Sequence, residues 1–412
     1  MKSITASAFV FGTDLLGEGF DEVLDNLQAR GGLDGVSLAA TYHDARDVFP
    51  HNPRYHVHRH EGDVAWFLPR PGQYEGGLAP RMASAAGGAD VLAALCECAG
   101  RRGMAVDAWT IFLHNSLLAT EHPECATRNA YGDPYLTDLC PANPRVRAYC
   151  RELAADIARY PVRRVMAESL HYRPLEHGEH HERYLIDLPG EARTLLGLCF
   201  CDHCRAAARQ AGADANGLAG AVRDALEPVW AGQLPHGHSG PLLGESARDE
   251  LAAYARVRMH VVTSLVAQVR EAMSGSGVAL SFMDHAGAMS HVMAGTSADD
   301  DVLLSSRKLG IDVGAVAAVC DEIGVLGYVD TGERLRKMLA SYIGALGEGS
   351  NLSVALRPLV PDCRSEAAFA EKVAAVLDSP ASGVSFYHYA MMPLNRLDWI
   401  RNALAADSGA SS

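Results

Sequence analysis

The chain has 412 residues, of which 48% are hydrophobic, and its formal net charge is -14. This length and apolar content suffice for one large α/β barrel, and the acidic balance argues against a nucleic-acid partner, which would need a basic stripe that the sequence lacks. No apolar run approaches the length of a membrane span, so a membrane is not expected as a partner either.

The first residues predict a strand rather than a secretory signal, because they carry one lysine and only a short apolar core. Ten cysteines without such a signal are typical of a reducing compartment, where thiols serve metal binding or packing. We therefore expect a cytoplasmic enzyme that acts on a neutral or cationic small molecule. The sequence is also compatible with a homo-oligomer.

Eight short apolar runs alternate with helical segments, which is the pattern of parallel strands joined by crossover helices. The predicted strands cover residues 8–11, 35–41, 106–113, 164–167, 278–283, 325–329, 352–356 and 384–389. Eight such units predict a single (β/α)8 TIM-barrel domain over residues 1–412. Helical spacing predicts helices over residues 20–29, 89–101, 250–273, 333–345, 366–377 and 394–405. A further helix starts at Asn143 and Pro144, an N-cap and first-turn pair.

Two regions exceed what a barrel needs, namely residues 43–82 after the second strand and residues 172–249 after the fourth. Both follow strands, so both are expected over the active-site face. Long ordered loops in that position usually shape a pocket or a lid.

The run from Cys199 to Cys204 contains three cysteines in the pattern Cys-x-Cys-x-x-Cys, with Cys201 in the middle. Three thiolates at this spacing can reach one ion, and a tetrahedral structural zinc needs one more ligand. We favour Cys125 as that ligand, because it lies in a loop-like stretch, whereas Cys140 closely precedes a helix start. Cys140 and His203 remain alternatives.

Catalysis in a (β/α)8 barrel takes place where the strands end, so the residues after each apolar run are candidates. Glu168 directly follows the fourth run, where partial desolvation would raise its pKa and suit it to general acid or base work. Glycoside hydrolysis usually needs a second carboxylate. Asp330 after the sixth strand and Asp284 after the fifth are the candidates, and Asp330 ranks slightly higher because Asp284 could simply orient His285.

Other polar residues at the strand ends are predicted to bind substrate. Arg357 could clamp an anionic group or pair with Glu168, and Tyr387 could stack against a sugar. The full set is His43, His114, Asn115, His171, His285, Arg357, Tyr387 and His388.

The order of these motifs resembles the cysteine-cluster β-galactosidases of glycoside hydrolase family 42, within the clan of TIM-barrel glycosidases. The resemblance rests on Cys125, then Glu168, then Cys199, Cys201 and Cys204, and it covers roughly residues 106–210, about a quarter of the chain. It implies a TIM barrel, a structural zinc held by those cysteines, and Glu168 as the acid/base.

The chain also departs from the family. Ala167 stands where the family has an asparagine before the acid/base, and Arg357 with Pro358 replaces the glutamate expected after the seventh strand. The sequence thus predicts a divergent hydrolase-like branch that cleaves a small glycoside. A metal-dependent sugar isomerase, epimerase or lyase is the alternative, with His114, Glu168, Asp284, His285 and His388 around an axial ion. A non-catalytic sugar-binding barrel is the third reading.

Overall fold

The computed structural model describes residues 4–176, 182–289, 301–347 and 349–406. Parts of the second predicted insertion and of the single predicted domain, at residues 177–181 and 407–412 among others, lie outside the described residues. Within the described part of the chain, no helix is long and apolar enough to cross a membrane.

Eight parallel strands close into a barrel in which each strand pairs with its neighbours in sequence and the eighth pairs with the first. The predicted (β/α)8 fold is confirmed. The barrel strands, numbered in chain order, are β1 (Thr5–Val10), β2 (Gly35–Tyr42), β3 (Ala105–Ile111), β4 (Arg164–Glu168), β5 (Ala279–Asp284), β6 (Glu322–Leu326), β7 (Asn351–Leu356) and β8 (Gly383–Phe386).

Amphipathic helices surround the barrel and bury their apolar faces against the strands. The helix at Pro144–Ile157 begins as predicted, because the Asn143 side chain accepts a hydrogen bond from the Arg145 amide at 2.9 Å. The larger helices are Val91–Arg101, Pro144–Ile157, Ala215–Trp230, Glu245–Ala272, Gly332–Ala345, Glu366–Leu377 and Asn395–Ala406. The shorter ones are Gly12–Glu18, Phe20–Asp25, Asn26–Arg30, Ser84–Ala86, Ser116–Glu121, Pro123–Cys125, Gly190–Leu196, Asp202–Gln210, Ala286–Met289, Val302–Lys308, Val313–Ala317 and Tyr389–Met391.

The region after β2 forms an antiparallel hairpin of Ala45–Val48 with Val57–His60, followed by the short strands Val64–Ala65 and Arg81–Met82. A second hairpin, Ala126–Arg128 with Pro134–Leu139, follows β3. The region after β4 supplies helices that include Asp202–Gln210 and Ala215–Trp230.

The barrel interior has a polar floor at the amino-terminal ends of its strands. Arg164 of β4 lies between two carboxylates, with an Nη2–Oδ2 distance of 3.1 Å to Asp107 and an Nη1–Oε1 distance of 2.5 Å to Glu322. Arg163 also pairs with Asp107, at 2.7 Å. Burial raises the pKa of Asp107, but the two guanidinium groups outweigh burial and leave that pKa below its ordinary value.

Glu322 explains why the predicted sixth strand lies three residues too late. The strand begins at Glu322 and ends at Leu326, whereas the apolar run starts at Val325. A charged residue inside a barrel is not expected from hydrophobic patterning, and here Arg164 makes it possible by supplying the opposite charge.

Replacing Arg164 by Met is expected to lower the free energy of unfolding by about 3–5 kcal/mol, because Asp107 and Glu322 lose the charge that Arg164 placed between them. The free energy follows from urea unfolding monitored by circular dichroism. Arg30→Met is the matched control, since the Arg30–Asp398 pair is more than a third exposed and should contribute only about 0–1 kcal/mol. Equal losses in both variants would contradict the role of the floor.

Candidate active site

A pocket of about 310 Å³ opens at the carboxyl ends of the barrel strands. Its apolar surface comes largely from aromatic side chains of the inner barrel cluster, and its polar surface from carboxylates, imidazoles and one guanidinium. The aromatic members are Phe9, Tyr42, Trp109, Tyr328 and Tyr387; the polar members are His43, Asp47, Glu168, His285 and Arg357.

Glu168 is the last residue of β4 and lies in this pocket, with its side chain 13% exposed. The Trp109 indole N–H donates a hydrogen bond to Oε2, and His285 Nε2 lies 3.3 Å from Oε1. Burial raises the pKa of Glu168, but His285, with smaller contributions from His43 and Trp109, lowers it to about 2. The expected raised pKa is therefore wrong, and Glu168 is a carboxylate at neutral pH.

His285 follows β5 and packs edge-on against His171, with ring centroids 5.1 Å apart. His171 is buried behind it, and its Nδ1 lies 2.7 Å from the Tyr172 carbonyl oxygen. That contact fits a neutral ring that donates from Nδ1. Burial lowers the pKa of His171 to about 3. His171 thus supports His285 and is not among the described residues that line the pocket.

We expect His285→Gln to raise the pKa of Glu168, because the charge and hydrogen bond of His285 are the main influences that oppose burial. The wild-type carboxylate, with its lowered pKa, stabilises the fold above pH ~4.3 and loses that contribution as the pH falls towards 2. The His285→Gln variant should lose this stabilisation of the fold. Carbon-13 NMR of labelled glutamate measures the pKa, and His122→Gln, at a partly exposed site beside Glu124, is the control. An unchanged Glu168 titration would contradict the ion pair.

The third strand and its loop contribute less to the pocket than predicted. His43, which follows β2, lines the pocket. His114, after β3, stacks on His43 with ring centroids 4.8 Å apart, so it lies behind His43 and is not among the described residues that line the pocket. Burial lowers the pKa of His43. Asn115 is corrected from a substrate ligand to a helix cap, because its Oδ1 accepts a hydrogen bond from the Leu118 amide at 2.8 Å.

Arg357 and Tyr387 both line the pocket, as the strand-end prediction required. Arg357 forms a bidentate pair with Asp362, at 2.5 and 2.8 Å, and does not pair with Glu168. Tyr387 has its hydroxyl 3.3 Å from that of Tyr42. His388 is corrected, because its fully buried ring stacks on Phe11 and lies outside the set of residues around the pocket.

Neither predicted second carboxylate lies in the pocket. Asp284 is fully buried and accepts hydrogen bonds from Ser306 at 2.6 Å and Tyr342 at 2.9 Å, so it fastens β5 to the helices outside the barrel. Burial raises its pKa. Asp330 lies four residues beyond the end of β6, exposed and paired with Arg334 at 3.0 Å. Both assignments are therefore corrected.

No family model and no curated protein matches the chain. Among solved structures, a β-galactosidase from Marinomonas ef1 superposes with a TM-score of 0.58 at 13% identity, over 98% of this chain and 60% of that one. A β-galactosidase from Halorubrum lacusprofundi gives 0.57 at 12% identity, over 97% and 58%. An α-L-fucosidase from Paenibacillus thiaminolyticus gives 0.55 at 12% identity, over 98% and 49%.

The chain shares the (β/α)8 barrel fold of these proteins. It spans no more than about three fifths of the length of these proteins, and identities this low are informative about the fold alone. Membership of glycoside hydrolase family 42 stays a prediction.

The barrel also carries a cluster of four buried cysteines. Cys140 Sγ lies 3.4 Å from that of Cys201, 3.5 Å from that of Cys204 and 3.9 Å from that of Cys199. A tetrahedral ion with metal–sulfur distances of ~2.3 Å would separate its sulfurs by about 3.8 Å, so the four side chains fit such a site. The cluster joins the hairpin after β3 to the helix Asp202–Gln210 after β4.

Cys140 completes this cluster, and the preference for Cys125 is corrected. The two residues lie side by side, because the Cys140 amide donates a hydrogen bond to the Cys125 carbonyl oxygen at 2.8 Å. Cys125 nevertheless lies outside the group of four sulfurs. The Arg128 amide lies 3.4 Å from Cys199 Sγ and the Tyr172 hydroxyl 3.3 Å from Cys204 Sγ, contacts that would orient thiolates around an ion.

Proposed function

We propose that the protein is an enzyme that cleaves the glycosidic bond of a small glycoside in the pocket at the end of β4. The observation that carries this proposal is Glu168, an ionised, largely buried carboxylate held between Trp109 and His285 in an aromatic pocket. Glycoside cleavage passes through a cationic, oxocarbenium-like transition state, and a fixed carboxylate stabilises that charge.

The lowered pKa of Glu168 changes the role first expected for it. A carboxyl group with a pKa of about 2 holds no proton at neutral pH, so Glu168 would act as the stabilising or attacking carboxylate rather than as the acid. We assign the proton to His285. As the bond between the anomeric carbon and the leaving oxygen breaks, that oxygen takes the His285 proton. Water then supplies the hydroxyl group to the sugar and releases a proton, and the imidazole is protonated again from solvent.

The dimensions and lining of the pocket support a sugar as the ligand. Its volume of about 310 Å³ lies at the lower end of the usual range for small-molecule sites. Tyr387 and Tyr328 supply aromatic surface, and the Tyr42 hydroxyl, 3.3 Å from that of Tyr387, offers hydrogen bonding.

The arrangement of side chains favours this proposal over a sugar isomerase with an axial metal. Five residues were expected around that ion, but Asp284 is bonded to Ser306 and Tyr342, and His388 is packed against Phe11. Among the described residues, the four cysteines are the group close enough to share an ion. We propose that this ion is zinc, in keeping with a purely thiolate donor set and a reducing compartment such as the cytoplasm.

The proposal is tested by assaying the protein on 4-nitrophenyl β-D-galactoside, α-L-fucoside, β-D-glucoside and N-acetyl-β-D-glucosaminide, with calorimetry for binding of the free sugars. Release of nitrophenol that persists after brief treatment with EDTA is the expected result. Turnover that requires an added divalent ion would favour the isomerase or lyase chemistry instead. Sugar binding without turnover of any glycoside would favour the non-catalytic reading.

A further inference from the structure

The hairpin that follows β2 carries a second carboxylate to the pocket. In the strand Ala45–Val48 the side chains alternate, so that Arg46 and Val48 are exposed while Ala45 and Asp47 line the pocket. This alternation is the two-residue period of a strand with one face in solvent. Asp47 therefore lines the cavity that contains Glu168, although it comes from a different part of the chain.

His60, on the partner strand of the hairpin, lies within ion-pair distance of Asp47. Its Nε2 lies 3.2 Å from Asp47 Oδ2, and the imidazole side chain is only 5% exposed. The ring packs against Phe11 with centroids 4.2 Å apart and against Phe49 at 5.5 Å. Oδ2 is buried beside His60, while the Asp47 side chain as a whole is 21% exposed, which leaves Oδ1 as the oxygen that can meet a ligand.

Asp47 and Glu168 act on the same pair of tyrosine hydroxyl groups. Burial raises the pKa of Tyr387, and the charges of Asp47 and Glu168 raise it further. Burial likewise raises the pKa of Tyr42, with both carboxylates contributing. The two hydroxyl groups are 3.3 Å apart, so both carboxylates lie within electrostatic reach of one small region of the pocket.

We propose that Asp47 is the second carboxylate of the active site and that His60 is its positioning residue. This inference rests on the proposed glycoside cleavage. Asp47 takes a proton from the attacking water, whose oxygen forms the new bond to the anomeric carbon. The bond from that carbon to the leaving oxygen breaks, and the leaving oxygen receives the proton of His285. Asp47 then releases its proton to solvent, and His285 takes up a proton from solvent, so that both groups return to their starting states.

The family resemblance predicts a glutamate after β7, but Arg357 stands at that position. Arg357 directly follows β7, and its guanidinium group pairs with Asp362. Among the described residues that line the pocket, Asp47 and Glu168 are the two carboxylates. The hairpin after β2 thus brings to the pocket a second carboxylate, Asp47, in addition to Glu168 from the barrel strands.

The test compares Asp47→Asn and Asp47→Ala with the wild type on a 4-nitrophenyl glycoside that the protein turns over. Asp47→Asn should lower kcat by about 10²–10⁴-fold, the usual contribution of a positioned base. Sodium azide, a nucleophile that needs no deprotonation, should restore part of the activity of Asp47→Ala and yield the glycosyl azide. Asp44→Asn is the matched control, because Asp44 starts the same hairpin and pairs with the exposed Arg59.

Wild-type kcat in Asp47→Asn, with activity lost in Glu168→Gln, would overturn the role of Asp47 and leave the proposed function intact. Activity retained in Glu168→Gln would instead overturn the proposed function itself. Circular dichroism and thermal unfolding show whether each variant folds. His60→Ala should lower kcat more than it changes KM, and His60→Gln, which keeps an N–H group near Asp47, should recover part of the loss; equal effects of the two would overturn the positioning role.

Discussion

Glu168→Gln is expected to lower kcat by about 10³-fold or more, because a neutral amide cannot stabilise a cationic transition state as a carboxylate does. The change preserves size, and the amide oxygen can still accept the hydrogen bond from the Trp109 indole. The packing of the pocket should therefore survive. The loss should appear in kcat rather than in KM, since the charge acts on the transition state more than on the bound glycoside.

The measurement is steady-state kinetics on the best of the 4-nitrophenyl glycosides, with circular dichroism to check folding. Asp330→Asn is the matched control, because Asp330 is an exposed carboxylate four residues beyond a barrel strand and pairs with Arg334. It should retain wild-type kcat. A Glu168→Gln variant that is as active as this control would remove the central residue from the proposed mechanism.

The second large effect concerns the cysteine cluster. Cys140→Ser should abolish stoichiometric zinc binding and lower the free energy of unfolding by about 4 kcal/mol where free zinc exceeds its dissociation constant about 1,000-fold. The reason is that a bound ion would join two separate regions, after β3 and after β4, so that its binding would favour the folded chain. Zinc content by inductively coupled plasma mass spectrometry and urea unfolding measure the two effects.

Cys125→Ser separates the metal site from the packing of a buried thiol. Cys125 is fully buried and adjoins Cys140 through a backbone hydrogen bond, but it lies outside the group of four sulfurs. The control should keep its zinc and lose only about 1 kcal/mol. Zinc loss in Cys125→Ser with retention in Cys140→Ser would restore the ligand first expected from the sequence.

The barrel could be predicted from the sequence because its strands are apolar runs at regular intervals, and Glu168 could be predicted because it ends one of them. The sixth strand was misplaced because it begins at Glu322, whose charge is balanced by Arg164 from a different strand. Such long-range compensation is invisible to local hydrophobic patterning. The same shift explains Asp330, which follows the apolar run but lies four residues beyond the end of β6.

Two residues of the candidate sites, Cys140 and Asp47, can be identified only from the folded structure. Cys140 and Cys125 are neighbours across the end of a hairpin, and sequence order does not indicate which side chain faces the other thiols. Asp47 left no such signal either, because Ala45–Val48 do not alternate apolar and polar residues, and their alternation of exposed and partly buried side chains appears only in the folded hairpin.

The barrel floor carries balanced charges, so it does not bias which ligands the mouth of the pocket attracts. Its two guanidinium groups, from Arg163 and Arg164, face two carboxylates, from Asp107 and Glu322, so the floor adds little net field at the opposite end. The Arg357–Asp362 pair cancels in the same way. Selection of a charged ligand therefore depends on the groups at the mouth itself. Protonated iminosugars, which carry the positive charge that Glu168 would stabilise in the transition state, should inhibit more strongly than sugar acids of the same shape.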